Sequence, residues 1–322
     1  ATDPDYDPAA FATVLEPKTG EDHTKLLEML DAVNDESIPI EQVLEQYFDL
    51  DNLTSYLAFN LLMGNPDSNA QNYLLYSPLN SSKWFYICWD GDDCLSESER
   101  EMREAEWQEG AWTRGISNYW GVVLFNRLLR LPSFREALTD KMEQLHAAIT
   151  PQRVEELIAL YRTITDPYVS AMPDSEHMQV TPQVRDQILS AMPGDIERSY
   201  QDYLESLEEP MPFFMGDVTA ENGTLYLNWG ESYDFDAEFL RYDVQISEDW
   251  SFSDILWEQT GLLHTAAELP VPEAGEYYWR VTVTNESGYS QEAFDAVVTS
   301  TGTHNGMRRF TIEKDGTVVN PE

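Results

Sequence analysis

The hydrophobic period of this chain changes once, at Glu209-Pro-Met-Pro212. Before it, apolar residues recur at helical spacing, as at Leu26, Leu27, Met29, Leu30 and Val33 and again at Ile40, Val43, Leu44, Tyr47 and Phe48. After it they alternate, as at Tyr242, Val244 and Ile246 and at Tyr277, Trp279, Val281 and Val283. A period near 3.6 turns one face of a helix toward a core and a period of 2 does the same for a strand, so the two patterns require different architectures. The chain is therefore predicted to be multidomain: a mainly α block over residues 1–209, an all-β sandwich over 213–299, and a C-terminal hairpin or tail over 300–322.

In the first block, helices are also predicted at about 119–129, 134–149, 154–164 and 195–207. Asp49 or Asp51 can cap a helix whose Leu50, Leu53, Tyr56, Leu57, Phe59 and Leu61 to Met63 fall on nearly every side, which argues for burial; Gly64 and Pro66 end it. Ala12 to Glu16 reads as a short strand and Pro17 to Glu21 as a turn, while Ser175 to Val180 and the neighbourhood of Pro182 read as connecting loop. Glu97 to Glu109 is a highly charged helix candidate with a solvated face.

Charge narrows the partners. With 59 acidic against 19 basic residues the net charge is -40, which opposes any approach to DNA, RNA or an anionic membrane and favours cations and basic proteins. An acidic surface that serves solubility alone accounts for the same composition. No apolar run approaches the roughly 20 residues of a membrane span, and Ala1 to Pro8 has no signal pattern, so any targeting segment is expected to be removed or outside this sequence. The only cysteines, Cys88 and Cys94, flank Trp-Asp-Gly-Asp-Asp; the spacing permits a disulfide in an oxidising compartment or two thiols in a reducing one.

The stretch from Gly64 to Cys94 carries the chemistry. Asn72 to Tyr76 and Trp84 to Trp89 are β-prone runs joined by the turn formers Ser77 to Ser82, so they predict a hairpin with Asp67 before it and Asp90 after it. Asp67-x4-Asn72 has the spacing of a protein-kinase catalytic loop, in which the Asp faces the acceptor hydroxyl and the Asn holds a metal. The order of buried helix, loop, hairpin and Asp repeats the kinase order, with Trp89-Asp90-Gly91-Asp92 where the metal-binding Asp is expected. The plainer alternative is that Asp67 and Asn72 stabilise a turn and that Asp90 to Asp93 cap the next element. The five histidines lack ligand spacing, and Trp84, Trp89, Trp107, Trp112 and Trp120 are expected in core packing.

Together, Asp49-Leu-Asp51-Asn-Leu-x2-Tyr56-Leu, Gly64-Asn-x-Asp67, Asn72-x2-Leu75-Tyr76 and Trp89-Asp-x-Asp92, with Leu15-Glu-x-Lys18-Thr19 upstream, resemble the spore coat protein H (CotH) family of kinase-like proteins. The resemblance implies a kinase-like C-terminal lobe with a small β-hairpin, found outside the cell or at its surface. It also implies use of ATP with Mg²⁺ or Mn²⁺ to phosphorylate Ser or Thr on extracytoplasmic or surface proteins. On it, Asp67 is the catalytic-loop acid, Asn72 a metal ligand and Asp90 the main metal ligand; as a further hard oxygen donor, Asp92 or Asp93 can supply an outer or additional metal contact. The sequence departs from a complete kinase in lacking a Gly-rich phosphate loop, and its only lysines before Asp67 are Lys18 and Lys25. The N-terminal lobe is expected upstream, and this chain alone is expected to be weak or inactive. The second block resembles a fibronectin type III domain through Trp229 and Pro270 to Trp279, which leaves open a cell-surface binding or adhesion protein built on a kinase-like scaffold.

Overall fold

The computed structural model describes residues 6–15, 22–102 and 110–321. The helical part comprises α1 (Pro8–Val14), α2 (Thr24–Asn34), α3 (Ile40–Tyr47), α4 (Leu50–Leu62), α5 (Glu97–Met102), α6 (Val123–Leu129), α7 (Pro132–Ala148), α8 (Pro151–Val169), α9 (Pro182–Ala191) and α10 (Pro193–Glu208), with one hairpin, β1 (Tyr73–Tyr76) and β2 (Phe85–Cys88), between α4 and α5.

Helix α4 is the centre of this part. Asp49 caps it, its Oδ1 accepting from the Asn52 amide at 2.9 Å, which satisfies one of the donors a helix start leaves open. Leu53, Tyr56, Leu57, Ala58, Leu61 and Leu62 are all buried, and α7 and α10 pack along it. It stops because Gly64 takes the left-handed backbone at φ +57°, where any Cβ would also stand 2.8 Å from Ser199 Oγ on α10. Two long cations close other helix ends. Arg127 donates to Val33 O in the last turn of α2 and to Ile38 O beyond it, and Lys83 donates to Leu44 O, Glu45 O and Phe48 O at the end of α3.

Some local expectations are corrected. The part of Ala12 to Glu16 that is described, Ala12 to Val14, ends helix α1 rather than forming a strand, and Leu15 is its C-cap. The neighbourhood of Pro182 is helix α9, because Pro182 stands at the first helical position, where a missing amide costs nothing, and Thr181 Oγ1 accepts from Val184 N at 3.3 Å. Of the charged helix over Glu97 to Glu109, α5 covers the first six residues; the remainder, with Trp107, and the turn at Pro17 to Glu21, with Lys18, lie outside the described residues.

The β-rich part contains β3 (Thr219–Glu221), β4 (Thr224–Asn228), β5 (Arg241–Ser247), β6 (Ile255–Leu262), β7 (Ala266–Pro270), β8 (Gly275–Thr284), β9 (Ser290–Glu292), β10 (Ala296–Thr299), β11 (Gly302–Asn305), β12 (Met307–Ile312) and β13 (Val318–Val319). One sheet has the order β3-β4-β7 and the other β13-β12-β8-β5-β6, with β9 added to β8; β10 and β11 form a separate hairpin. All pairs are antiparallel, and Leu225, Leu227, Trp229, Val244, Ile246, Trp279, Val281 and Phe310 share one buried core. In the last twenty residues Thr311 and Ile312 pair with β13 as a small hairpin, and β12 also runs alongside β8 over six residues, from Met307 opposite Arg280 to Ile312 opposite Gly275.

The two parts share side-chain packing. Trp120 stacks on Tyr233 at 5.5 Å and meets Phe235 edge-on at 5.8 Å, while the Arg130 guanidinium lies 4.3 Å from the Tyr233 ring centre.

Candidate functional site

Asp67 sits in a single 3-10 turn, Pro66–Asn69, directly after α4. The turn is pinned on its inner side: Tyr56 Oη donates to Ser68 O at 2.7 Å, Asn118 Nδ2 donates to Pro66 O at 3.0 Å, and Asn69 Nδ2 donates to Asn118 O at 3.0 Å. Ser68 and Tyr119 hydroxyls share a 2.6 Å bond. Asp67 is partly buried; burial pushes its carboxyl pKa up, the charges of Asp93 and Asp92 add to the rise, and Arg100 and a bond from Gln71 oppose it.

The hairpin sets the other residues. Its register pairs Tyr73 with Cys88 and Tyr76 with Phe85. The ladder ends where Trp89 N donates to Asn72 O at 3.2 Å, and there Asn72 and Asp90 both adopt positive φ, at 58° and 52°. Asn and Asp are among the few side chains that take this conformation readily, and it turns both chains out of the hairpin. The inward face, Tyr73, Leu75 and Tyr86, packs on the helical core. The outward face carries Leu74, Tyr76, Phe85, Ile87 and Trp89, and Tyr76 and Trp89 are 54% and 63% exposed. Trp89 therefore does not pack in the core as expected, whereas Trp120 does; Trp84 and Trp112 are half-buried.

The segment after Asp90 returns to the end of α4 through Leu95, which takes φ 54° and donates its amide to Met63 O at 2.8 Å. This return carries Asp92 and Asp93 toward Asp67, and Asp93 lies 3.6 Å from Arg100 of α5. Cys88 and Cys94 are free thiols here, with no disulfide between them; burial raises both pKa values, that of Cys94 to about 11. Lys25 is committed elsewhere, donating to Pro78 O at 2.7 Å at the turn end of the hairpin, remote from Asp67. Sequence reasoning missed Arg100, Asn69 and Asn118. Arg100 is masked by its charged helix, and Asn118 lies some fifty residues from its partners, with no local pattern to reveal it.

A family model described as CotH kinase protein matches residues 2–207, well over half of the 322 residues. The chain belongs to the CotH family. The CotH match covers every helix from α1 to α9, the hairpin and nearly all of α10, and leaves out the β-rich part. No curated protein matches in sequence. Among solved structures, the rat CD45 extracellular region, domains d3-d4, is similar at TM-score 0.22 and 12% identity, over 26% of this chain and 45% of that one. The N-terminal part of the bacterial S-layer protein SbsC gives 0.17 and 9%, over 95% and 69%. Both scores are too low to carry an argument about fold. No helix among the described residues is long and apolar enough to cross a membrane.

The metal that the CotH family suggests can be tested against the donors. Among the described residues no three His, Cys, Asp or Glu side chains form a ready metal cage. Mg²⁺ does not require one: it keeps several waters and is held by one or two carboxylates together with substrate phosphates. Asn72 and Asp90, which leave the last rung of the hairpin together, and Asp92, whose charge reaches Asp67, supply hard oxygen donors of the kind that mode uses.

Proposed function

We propose that this CotH chain is the C-terminal-lobe portion of an atypical protein kinase, which uses ATP and Mg²⁺ or Mn²⁺ to phosphorylate Ser or Thr on extracytoplasmic or surface proteins. The observation that carries the reading is the partly buried Asp67 on the turn after α4, its pKa raised by burial and by the charges of Asp93 and Asp92, within the region matched by the family. Asp67 would accept the proton of the acceptor hydroxyl, and its raised pKa suits a base better than an ordinary Asp. Asn72, Asp90 and Asp92 would hold the metal, whose chemistry is to neutralise charge on the transferring phosphate. The exposed apolar face of the hairpin suits a nucleotide base or a covering lobe. That lobe is not formed by the described residues before Asp67, which are helical, and the reading assigns it to sequence beyond this chain. The facing of a three-stranded sheet by a larger one, with Trp229 in the core between them, supports the fibronectin type III reading of the β-rich part.

The test is calorimetric titration of the chain with Mn²⁺ and with Mn²⁺ and ATP, alongside transfer of labelled phosphate from ATP to Ser or Thr of a basic acceptor protein. Binding that is lost in both Asp67→Asn and Asp90→Asn, with any transfer lost in the same variants, supports the reading. Binding or transfer unchanged in both overturns it. The helical character of everything described before Asp67 favours one second reading, a cell-surface binding or adhesion protein on a kinase-like scaffold; its ligand binding would be indifferent to both substitutions.

A further inference from the structure

The segment from Gly110 to Gly121 lies between two things that the sequence keeps far apart. On one side is the Asp67 turn, held by Asn118 and Tyr119 as described. On the other is the β-rich part. Glu292 of β9 accepts from Ala111 N at 2.6 Å, Phe294 meets Trp112 edge-on at 5.2 Å, and a Cβ at Gly121 would touch the Phe294 ring at 3.5 Å. The fit is tight: a Cβ at Gly110 would come 2.7 Å from Trp112 Nε1 and 2.9 Å from Glu292 Oε1. The middle of the segment cannot slide, because Ile116 N donates to Ser206 Oγ at 3.0 Å and a Cβ on Gly115 would overlap Ser206 and Asp202 of α10. Ile116 and Tyr119 are fully buried.

We infer that the β-rich part braces the Asp67 turn through this segment, so that Glu292 and Phe294 are positioning residues for a site they do not touch. Apart from Tyr56 of α4, which donates to Ser68 O, the side-chain bonds given above that hold the turn from outside come from the 110–121 segment. The turn is four residues long, its capping contact from Asp67 N to Asn65 Oδ1 is 3.3 Å long, and two of the bonds to its backbone and Asn69 side chain come from Asn118. Withdrawing the support behind Asn118 frees the turn to open locally, without unfolding helices that have their own core. Spatial intermediacy alone does not establish coupling, so the test must read the turn directly. Any consequence for catalysis rests on the reading of Asp67 as the catalytic acid, whereas the bracing does not.

The experiment is hydrogen exchange of the full chain, followed by mass spectrometry, on unaltered protein and on Phe294→Ala, Glu292→Ala, Glu292→Gln and Asn118→Ala. In Asn118→Ala, amides of residues 64–72 are expected to exchange about tenfold faster, the size expected for losing one or two hydrogen bonds, with the β-rich part unchanged. Phe294→Ala and Glu292→Ala are expected to speed both 110–121 and 64–72 while α7 and α8 stay protected; Glu292→Gln, which keeps an accepting oxygen, restores protection. Faster exchange in 110–121 with 64–72 unchanged overturns the inference. So does a uniform rise over the whole chain, which would mark general destabilisation. Mn²⁺ binding lost in Asp67→Asn but retained in Phe294→Ala separates the fate of the proposed function from that of the brace.

Discussion

Trp89 donates its amide to the carbonyl of Asn72 over 3.2 Å, and this last rung of the hairpin sends Asn72 and Asp90 out of the ladder side by side. Both then need positive φ, so each residue combines a backbone duty with the ligand duty proposed for it. Substitution can separate the two. Asn72→Ala is expected to lower stability by about 1 kcal/mol, the cost of placing an ordinary side chain in the left-handed region. Asn72→Gly, free of that strain, is expected to recover stability in urea denaturation yet remain defective in Mn²⁺ binding by calorimetry. Recovery of both by Gly would leave Asn72 a turn residue and nothing more.

Asp67 is predicted to act against stability at neutral pH. Its folded pKa lies above the ordinary value of 3.8, so it favours the fold while protonated, and that contribution is lost as pH rises through the folded value. Without divalent cation, Asp67→Asn is therefore expected to melt higher than the unaltered chain at pH 7 and to show no such gain at pH 3. Added Mn²⁺ is expected to raise the melting temperature of the unaltered chain and not of the variant. A variant that melts lower at pH 7 would show that favourable contacts of the Asp67 carboxylate outweigh its burial and the charges of Asp93 and Asp92.

How far these residues were legible follows from the reach of each interaction. Asp49 as a cap, Gly64 as a stop and the two runs of the hairpin are local, and their signals lie within a few positions of their effects. Pro182 is ambiguous in sequence because proline marks both a loop and a helix start, and only the Thr181 cap tells them apart. Strand β6 carries no alternating signal because it is an edge strand with most side chains exposed. The pairing of β12 with β8, the approach of Asp93 to Asp67 and the grip of Asn118 on Pro66 are contacts between distant segments, and nothing local encodes them.

Lys83 is predicted to be structural. It stands just before β2, and its ammonium donates to Leu44 O, Glu45 O and Phe48 O at the end of α3, where Leu44 O also accepts from Phe48 N. Lys83→Met keeps most of the stem and removes all three bonds, so a loss of about 1–3 kcal/mol is expected in urea denaturation. Mn²⁺ binding should be unchanged at saturating folded protein, since the contact lies at the turn end of the hairpin, away from Asn72 and Asp90.

At the junction of the two parts, Glu209 is predicted to make stability fall as pH rises. Burial lifts its pKa from 4.5 to about 7, the neighbouring charges of Glu205 and Asp202 add to the rise, and Arg114 offsets part of it. Gln291 Nε2 donates to its Oε2 at a long 3.4 Å, too weak to compensate. The folded state thus holds a proton that the unfolded chain releases near 4.5, and the stabilisation this provides is complete below that value and lost by about 7. Glu209→Gln mimics the protonated form at every pH. Its advantage over the unaltered chain is expected to be near zero at pH 4, to grow through pH 5 and 6, and to level at about 1–2 kcal/mol above pH 7, allowing for solvent screening. Urea denaturation across that range measures the difference directly. An advantage that is the same at pH 4 and pH 8 would mean that packing of the amide, and not the charge of Glu209, sets it.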